Sequence, residues 1–184
     1  HETLAANTTG TQNTAVGANA LDANTTANNN TAIGYNSLTS CTTGAENVAI
    51  GHGSADALTT GSKNVALGGD AMGKRTGGER NVAIGNYCSA DGASTGNQNT
   101  AMGDNALREL TTANANTAIG CEAAYNITGG GGNAVVGYQA LHTATTNNYM
   151  TAMGFQALYD STANNNTAFG YRAGYEISTG TANV

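Results

Sequence analysis

A nine-residue phrase recurs ten times along the chain, and it constrains the fold more than any other feature. Typical copies read NTAVGANAL at 13–21, NTAIGYNSL at 30–38 and NVAIGHGSA at 47–55. The glycine at the fifth position anchors each copy, giving Gly17, Gly34, Gly51, Gly68, Gly85, Gly103, Gly120, Gly137, Gly154 and Gly170. Successive anchors lie 17 residues apart, apart from one step of 18 and one of 16. This period is too short for a pair of helices and predicts one coil of a β-solenoid, with two or three short strands per coil.

Each repeat position becomes a column along the rod, because equivalent residues of neighbouring coils stack about 4.8 Å apart. The residue before the anchor is apolar in every copy, and alanine precedes it in nine of ten. This alternation predicts a strand with Thr or Val and Ile on one face, and Ala and Gly on the other. An asparagine opens nine of the ten phrases and is expected to bond from coil to coil: Asn13, Asn30, Asn47, Asn64, Asn81, Asn99, Asn116, Asn133 and Asn166. A threonine column eight residues after the anchor is expected to close a turn through stacked hydroxyls that satisfy one another.

Two apolar columns compete for the interior of this thin coil. One is the isoleucine-rich column before the anchor, and the other is a leucine-rich column four residues after it. Both cannot point into so narrow a tube, so part of the apolar surface is expected to pack against other chains. A closed ring of identical chains, most naturally a homotrimer, satisfies this requirement.

The composition excludes several classes of function. Only 10% of the residues are charged, the chain has 26 Gly and no Pro or Trp, and its net charge is −6. An acidic surface disfavours a nucleic-acid partner. No run of 18 apolar residues is present, so no membrane insertion is expected.

No residue pattern predicts an enzyme, a metal site or a cofactor. The Ser, His and acidic residues fall in different columns, and no glycine-rich loop opens a helix. The cysteines Cys41, Cys88 and Cys121 are too far apart for a disulfide, and Cys88 is expected to be a core thiol. Glu46 and Lys63 are predicted to pair across coils. Lys63, Lys74, Arg75 and Arg80 are predicted to form a small basic surface zone.

The aromatic residues gather near the C-terminal end of the sequence. Eight of the ten aromatic residues follow position 120, and the column five after the anchor ends in Tyr125, His142, Tyr159 and Tyr175. Earlier members of this column include Asp22 and Arg108, so the column is expected to be exposed. Tyr138, Phe155 and Tyr171 form a second stack. Two interpretations remain open: a thickened contact between chains, or a ligand face that stacks on sugar rings of a host surface glycan.

The phrases NVAIGHGSA and NTAIGYNSL resemble the head repeats of trimeric autotransporter adhesins, and are more similar to the repeats of bacteriophage tail fibres. The resemblance extends from Asn13 to Val184 and implies an all-β fold: a left-handed parallel β-roll of about ten 17-residue coils, assembled as a homotrimeric rod. It implies a structural shaft or head of a virion tail fibre that supports host attachment, with further fibre or chaperone domains on the same polypeptide.

The longer period favours the phage fibre over the alternative, a bacterial surface adhesin head that binds glycans or matrix. A third alternative, an ice-binding solenoid, is disfavoured because Val48 and other apolar residues interrupt the threonine column of the strand. The predicted divisions are a lead-in at 1–12, the repeat domain at 13–182 and the start of an eleventh coil at 183–184, as in a piece of a longer rod.

Overall fold

Ten short strands form one parallel sheet, one strand from each coil. The computed structural model describes residues 2–184. The strands of this sheet are β1 (Thr14–Val16), β2 (Thr31–Ile33), β3 (Val48–Ile50), β4 (Val65–Leu67), β5 (Val82–Ile84), β6 (Thr100–Met102), β7 (Thr117–Ile119), β8 (Ala134–Val136), β9 (Thr151–Met153) and β11 (Thr167–Phe169). Equivalent residues pair in register, as Ala32 does with Ala49. The parallel β-solenoid of about ten coils is thereby confirmed.

The expectation of two or three strands per coil is wrong for most of the rod. Within residues 2–184, β10 (Asp160–Ser161) and β12 (Glu176–Ile177) form the one second ladder, in the last two coils, and Ser62 and Glu79 form an isolated bridge. Elsewhere the backbone after the anchor glycine repeatedly enters the left-handed region, with φ of 55° at Asn36 and 50° at Leu38. Extended backbone cannot continue through such residues, so the rest of the coil consists of turns.

Alanine and leucine, and not isoleucine, fill the inside of the coil. Ala32 in the middle of β2 and Leu38, four residues after its anchor, are fully buried. Ile33, the strand neighbour of Ala32, remains 37% exposed. The strand therefore turns its alanine inward and its Thr or Val and Ile side chains outward.

Buried asparagines join each coil to the next, as the sequence predicts. Asn47 donates its Nδ2 to Asn30 Oδ1 at 3.2 Å and to the Gly61 carbonyl at 2.8 Å. Its own Oδ1 accepts the backbone N–H of Asn64 at 3.0 Å. Met150 interrupts this ladder and still donates its backbone N–H to Asn133 Oδ1.

The threonine column also joins the coils, although by a different bond from the one expected. Thr42 Oγ1 donates to the Thr59 carbonyl at 3.3 Å, and Thr59 Oγ1 donates to the Thr76 carbonyl at 2.8 Å. The hydroxyls therefore satisfy backbone carbonyls of the next coil and do not bond to one another.

The anchor glycines occupy corners that admit no side chain. Gly85 has φ of +134°, and a Cβ at this position would lie 2.6 Å from the carbonyl carbon and oxygen of Gly103 in the next coil. Both the backbone conformation and the close approach of the next coil require glycine here.

Arg75 lies inside the solenoid, which corrects its assignment to a basic surface zone. Its side chain is fully buried, and it donates to Ser89 Oγ at 3.0 Å and to the Gly96 carbonyl at 2.6 Å. Burial lowers the pKa of Arg75 to about 10. The next coil is the one of 18 residues, and it carries Gly92 where other coils have a larger inward side chain. The Arg75 side chain extends into that coil, beside the position where Gly92 contributes no side chain. The contact joins different repeat positions, so comparing equivalent positions does not predict it.

Candidate functional site

Aromatic rings near the C-terminal end of the rod form a continuous stack. Tyr125 lies 5.1 Å from His142, His142 lies 5.1 Å from Tyr159, and Tyr159 lies 5.0 Å from Tyr175, measured between ring centroids. The ring planes of the last two pairs are nearly parallel, with interplanar angles of 2° and 3°. The structure thus brings together all four residues of the predicted column.

The four rings are half-buried, which corrects the expectation of an exposed column. Each internal ring is covered on both faces by its neighbours, because the spacing between coils, about 4.8 Å, is close to the centroid distance of stacked rings. The stack presents ring edges to solvent, whereas sugar rings pack on ring faces. Whether these residues contact a ligand stays a prediction.

Charged groups at both ends of this stack were not anticipated from the sequence. The guanidinium of Arg108 lies 5.8 Å from the Tyr125 centroid, and that of Arg172 lies 4.7 Å from the Tyr175 centroid. His142 Nε2 lies 3.4 Å from Glu122 Oε2, while His142 Nδ1 is buried without a partner. The position of Arg108, one coil before Tyr125 in the same column, is the sequence signal that predicts its contact with the end of the stack.

A second aromatic stack lies beside the exposed isoleucine column. Tyr138 and Phe155 stack at 5.2 Å, and Phe155 and Tyr171 stack at 5.4 Å. All three are exposed, and the neighbouring Met153 and Phe169 are 37% and 64% exposed. The C-terminal end of the rod therefore exposes apolar side chains in two columns.

Two of the four residues of the predicted basic zone, Lys63 and Lys74, contact acidic side chains, and a third, Arg75, is buried. Lys63 Nζ lies 4.0 Å from Glu46 Oε1, which confirms the expected pair. Lys74 Nζ lies 3.0 Å from Asp91 Oδ1. Arg75 is buried, and neither Arg75 nor Arg80 forms an ion pair among the residues described.

The cysteines are separate thiols. Cys41 and Cys88 are buried and Cys121 is exposed, and none of them forms a disulfide within residues 2–184. Burial raises the pKa of Cys41 to about 11 and that of Cys88 to about 12. Cys88 is a core thiol, as its place in the small-residue column predicts.

The described part of the chain offers neither a metal-binding cluster nor a membrane-spanning helix. Residues 2–184 contain no group of three His, Cys, Asp or Glu side chains arranged to hold a metal ion. No helix in this part of the chain has the length and apolarity needed to cross a bilayer. Comparisons with protein-family models, with curated proteins and with solved structures gave no significant match to this chain.

Proposed function

We propose that the chain is a structural segment of a homotrimeric fibre, of the kind that bacteriophage tail fibres contain, and that its outward isoleucine column is the contact between the three copies. In this proposal the segment belongs to a virion and positions or supports the part of the fibre that attaches to a host cell. Its role is mechanical and requires no catalytic group.

The exposure of the isoleucine column carries the proposal. Val16 is 57% exposed, Ile50 40% and Ile119 39%, and the column is apolar in all ten coils. At about 4.8 Å per coil the column extends for roughly 45 Å. Monomeric soluble proteins seldom expose a contiguous apolar strip of this length, and such strips mark contacts with other molecules.

The coil interior supplies the second argument. The buried core consists mostly of alanine. Most coils add only one or two larger side chains, Leu, Met or Ile. Alanine buries little apolar area, whereas full burial of an Ile or Val side chain stabilises by about 1.5–3 kcal/mol. Covering the remaining half of each outward side chain would add on the order of 10 kcal/mol per chain across ten coils.

A second copy of this chain fits the strip better than an unrelated partner does. The strip has one apolar residue per coil, and neighbouring strands pair in register, so a copy in parallel register meets it coil by coil. A closed ring of three copies covers every strip and leaves none exposed, which an open contact does not achieve.

The variant Ile50→Asp tests this assignment. An aspartate at this position would be desolvated in the contact without an evident cation, at a cost of several kcal/mol. We expect the variant to shift from trimer to monomer in sedimentation velocity. The matched control is Ala57→Asp, since its column already holds Asp91 and offers Lys74 in the next coil. An Ile50→Asp protein that stays trimeric would remove the isoleucine column from the contact.

A further inference from the structure

One side of the rod has a gap in an otherwise filled column. Five residues after the anchor, every coil carries a polar or aromatic side chain except two adjacent coils, which carry Gly73 and Ala90. A trough of about 380 Å³ lies over these two residues, with Asp56 at one end and Arg108 at the other. This volume lies within the range of small-molecule sites in proteins.

The Asp56 end of the trough offers carboxylate oxygens that no lysine or arginine side chain contacts among the described residues. Asp56 Oδ1 lies over the floor, 3.6 Å from the position that a Cβ of Gly73 would take. Burial raises the pKa of Asp56 above its ordinary value. The backbone amide of Ala57 opposes this rise, and the nearby charge of Asp70 adds to it. Within the described residues, the one ionic contact of either carboxylate is His52 Nδ1, 3.9 Å from Asp70.

Both cations at the Arg108 end already have a carboxylate partner. Arg108 donates from Nε to Asp91 and from Nη1 to Asn105 Oδ1 at 2.9 Å, and Lys74 Nζ also donates to Asp91 at 3.0 Å. One carboxylate thus engages both cations of this end. The unmet requirement of the trough is therefore for donors at Asp56 and Asp70, and not for an anion.

Tyr87 gives the trough an aromatic wall. Its ring is 46% exposed, and the Arg108 guanidinium lies 5.3 Å from the ring centroid. Among the described residues no other ring stacks on Tyr87, in contrast to the C-terminal stacks, where the ring faces cover one another. Tyr87 therefore keeps apolar ring surface available to a ligand.

We propose that this trough binds a saccharide whose ring carries no anionic group. Hydroxyl or ammonium groups of the sugar donate to Asp56 and Asp70, and the sugar ring packs against Tyr87. A carboxylated or sulfated sugar is disfavoured, because the trough is lined by three carboxylates against two cations, and both cations already contact Asp91. The site extends the proposed function by naming a ligand class for the fibre, and it rests on that function only for the origin of the saccharide on a cell surface.

The test uses the full chain and a panel of methyl glycosides. Saturation-transfer NMR is recorded with methyl glycosides of glucose, galactose, mannose, glucosamine and glucuronic acid. We expect transfer to at least one neutral or amino glycoside and none to the glucuronide. Absence of transfer to the whole panel, or equal transfer to the glucuronide, overturns the proposal.

Three variants locate the site. Asp56→Asn should weaken binding about tenfold or more, because it removes a charged acceptor. Asp22→Asn, in the same column and remote from the trough, should leave binding unchanged. Ala90→Tyr should fill the trough and abolish binding; if it does not fold, the Asp56→Asn result decides. Binding that survives Asp56→Asn, or that Asp22→Asn weakens equally, contradicts the assignment.

The same samples separate this proposal from the trimer. Their mass is measured by light scattering alongside the NMR titration. A monomer that binds the neutral glycosides would overturn the trimer and leave the trough assigned, and a trimer that binds none would do the reverse.

Discussion

Asn47 donates both its backbone N–H and its side-chain Nδ2 to Oδ1 of Asn30 in the preceding coil, at 2.9 and 3.2 Å. The same relation connects most neighbouring pairs along the rod. Each buried amide bonds to backbone groups and to the asparagine of the neighbouring coil. These repeated polar bonds stabilise a chain whose apolar core contains few large side chains. Such an array behaves as coils coupled to their nearest neighbours.

The first prediction concerns this ladder. Asn64 is buried and accepts from both nitrogens of Asn81, while it donates to Asn47 Oδ1 and the Gly78 carbonyl. Asn64→Ala leaves several buried groups without partners and should lower the free energy of unfolding by about 3–5 kcal/mol. The control Asn114→Ala removes an exposed amide, which water replaces, and should cost less than about 1 kcal/mol. Equal losses in urea unfolding would contradict the role of the ladder.

The second prediction concerns the anchor corners. Gly85→Ala places a Cβ against the carbonyl of Gly103 at a φ of +134° and should lower the melting temperature by well over 10 °C. Gly129→Ala is the matched control, because a Cβ there has no neighbour closer than 3.8 Å. That change should be neutral or slightly stabilising, since it restricts the unfolded chain. Similar melting temperatures for the two variants would refute the assignment of the anchors.

The third prediction concerns the buried arginine. Arg75→Met should leave the melting temperature equal or raise it, because it removes a desolvated charge without an acidic partner. The Gly96 carbonyl keeps its bond from Asn81 Nδ2 at 3.0 Å, so it is not left unpaired. Arg75→Ala, which leaves a cavity, should destabilise by about 2–4 kcal/mol. A large loss for Arg75→Met would show that the charge itself is required.

The fourth prediction concerns the thiols. At pH 8 the native protein should react with a thiol reagent at Cys121 only, since Cys41 and Cys88 are buried and their pKa values lie at about 11 and 12. All three should react in guanidinium chloride. Mass spectrometry of the labelled peptides identifies the sites, and rapid native labelling of Cys88 would place it outside the core.

The period of the sequence predicts the parallel solenoid, because a coil stacks on the next when both follow nearly the same backbone path. It does not decide which strand face points inward, since Ala32 and Ile33 are both apolar. The geometry decides it: the coil is too narrow for isoleucine beside the inward Leu38. The burial of Arg75 does not follow from its repeat position, because its partners, Ser89 and Gly96, lie in the coil of 18 residues.

The aromatic column shows the same division. The single-coil spacing predicts that Tyr125 and His142 stack, and they do. Their half-burial does not follow from the charged residues earlier in the column, because exposure there reflects side-chain length as well as direction. The trough between Asp56 and Arg108 arises because two adjacent coils carry the small residues Gly73 and Ala90 in this column, and its depth follows from the coil geometry, which the sequence does not give.

The assembly state tests the central claim most directly. Light scattering coupled to size exclusion gives the mass of the wild-type chain in solution at micromolar and lower concentrations. The account predicts three times the chain mass of 18.3 kDa at every concentration at which the protein remains folded. A folded monomer of 18.3 kDa would contradict it, because the outward isoleucine column would then stand in water without a partner.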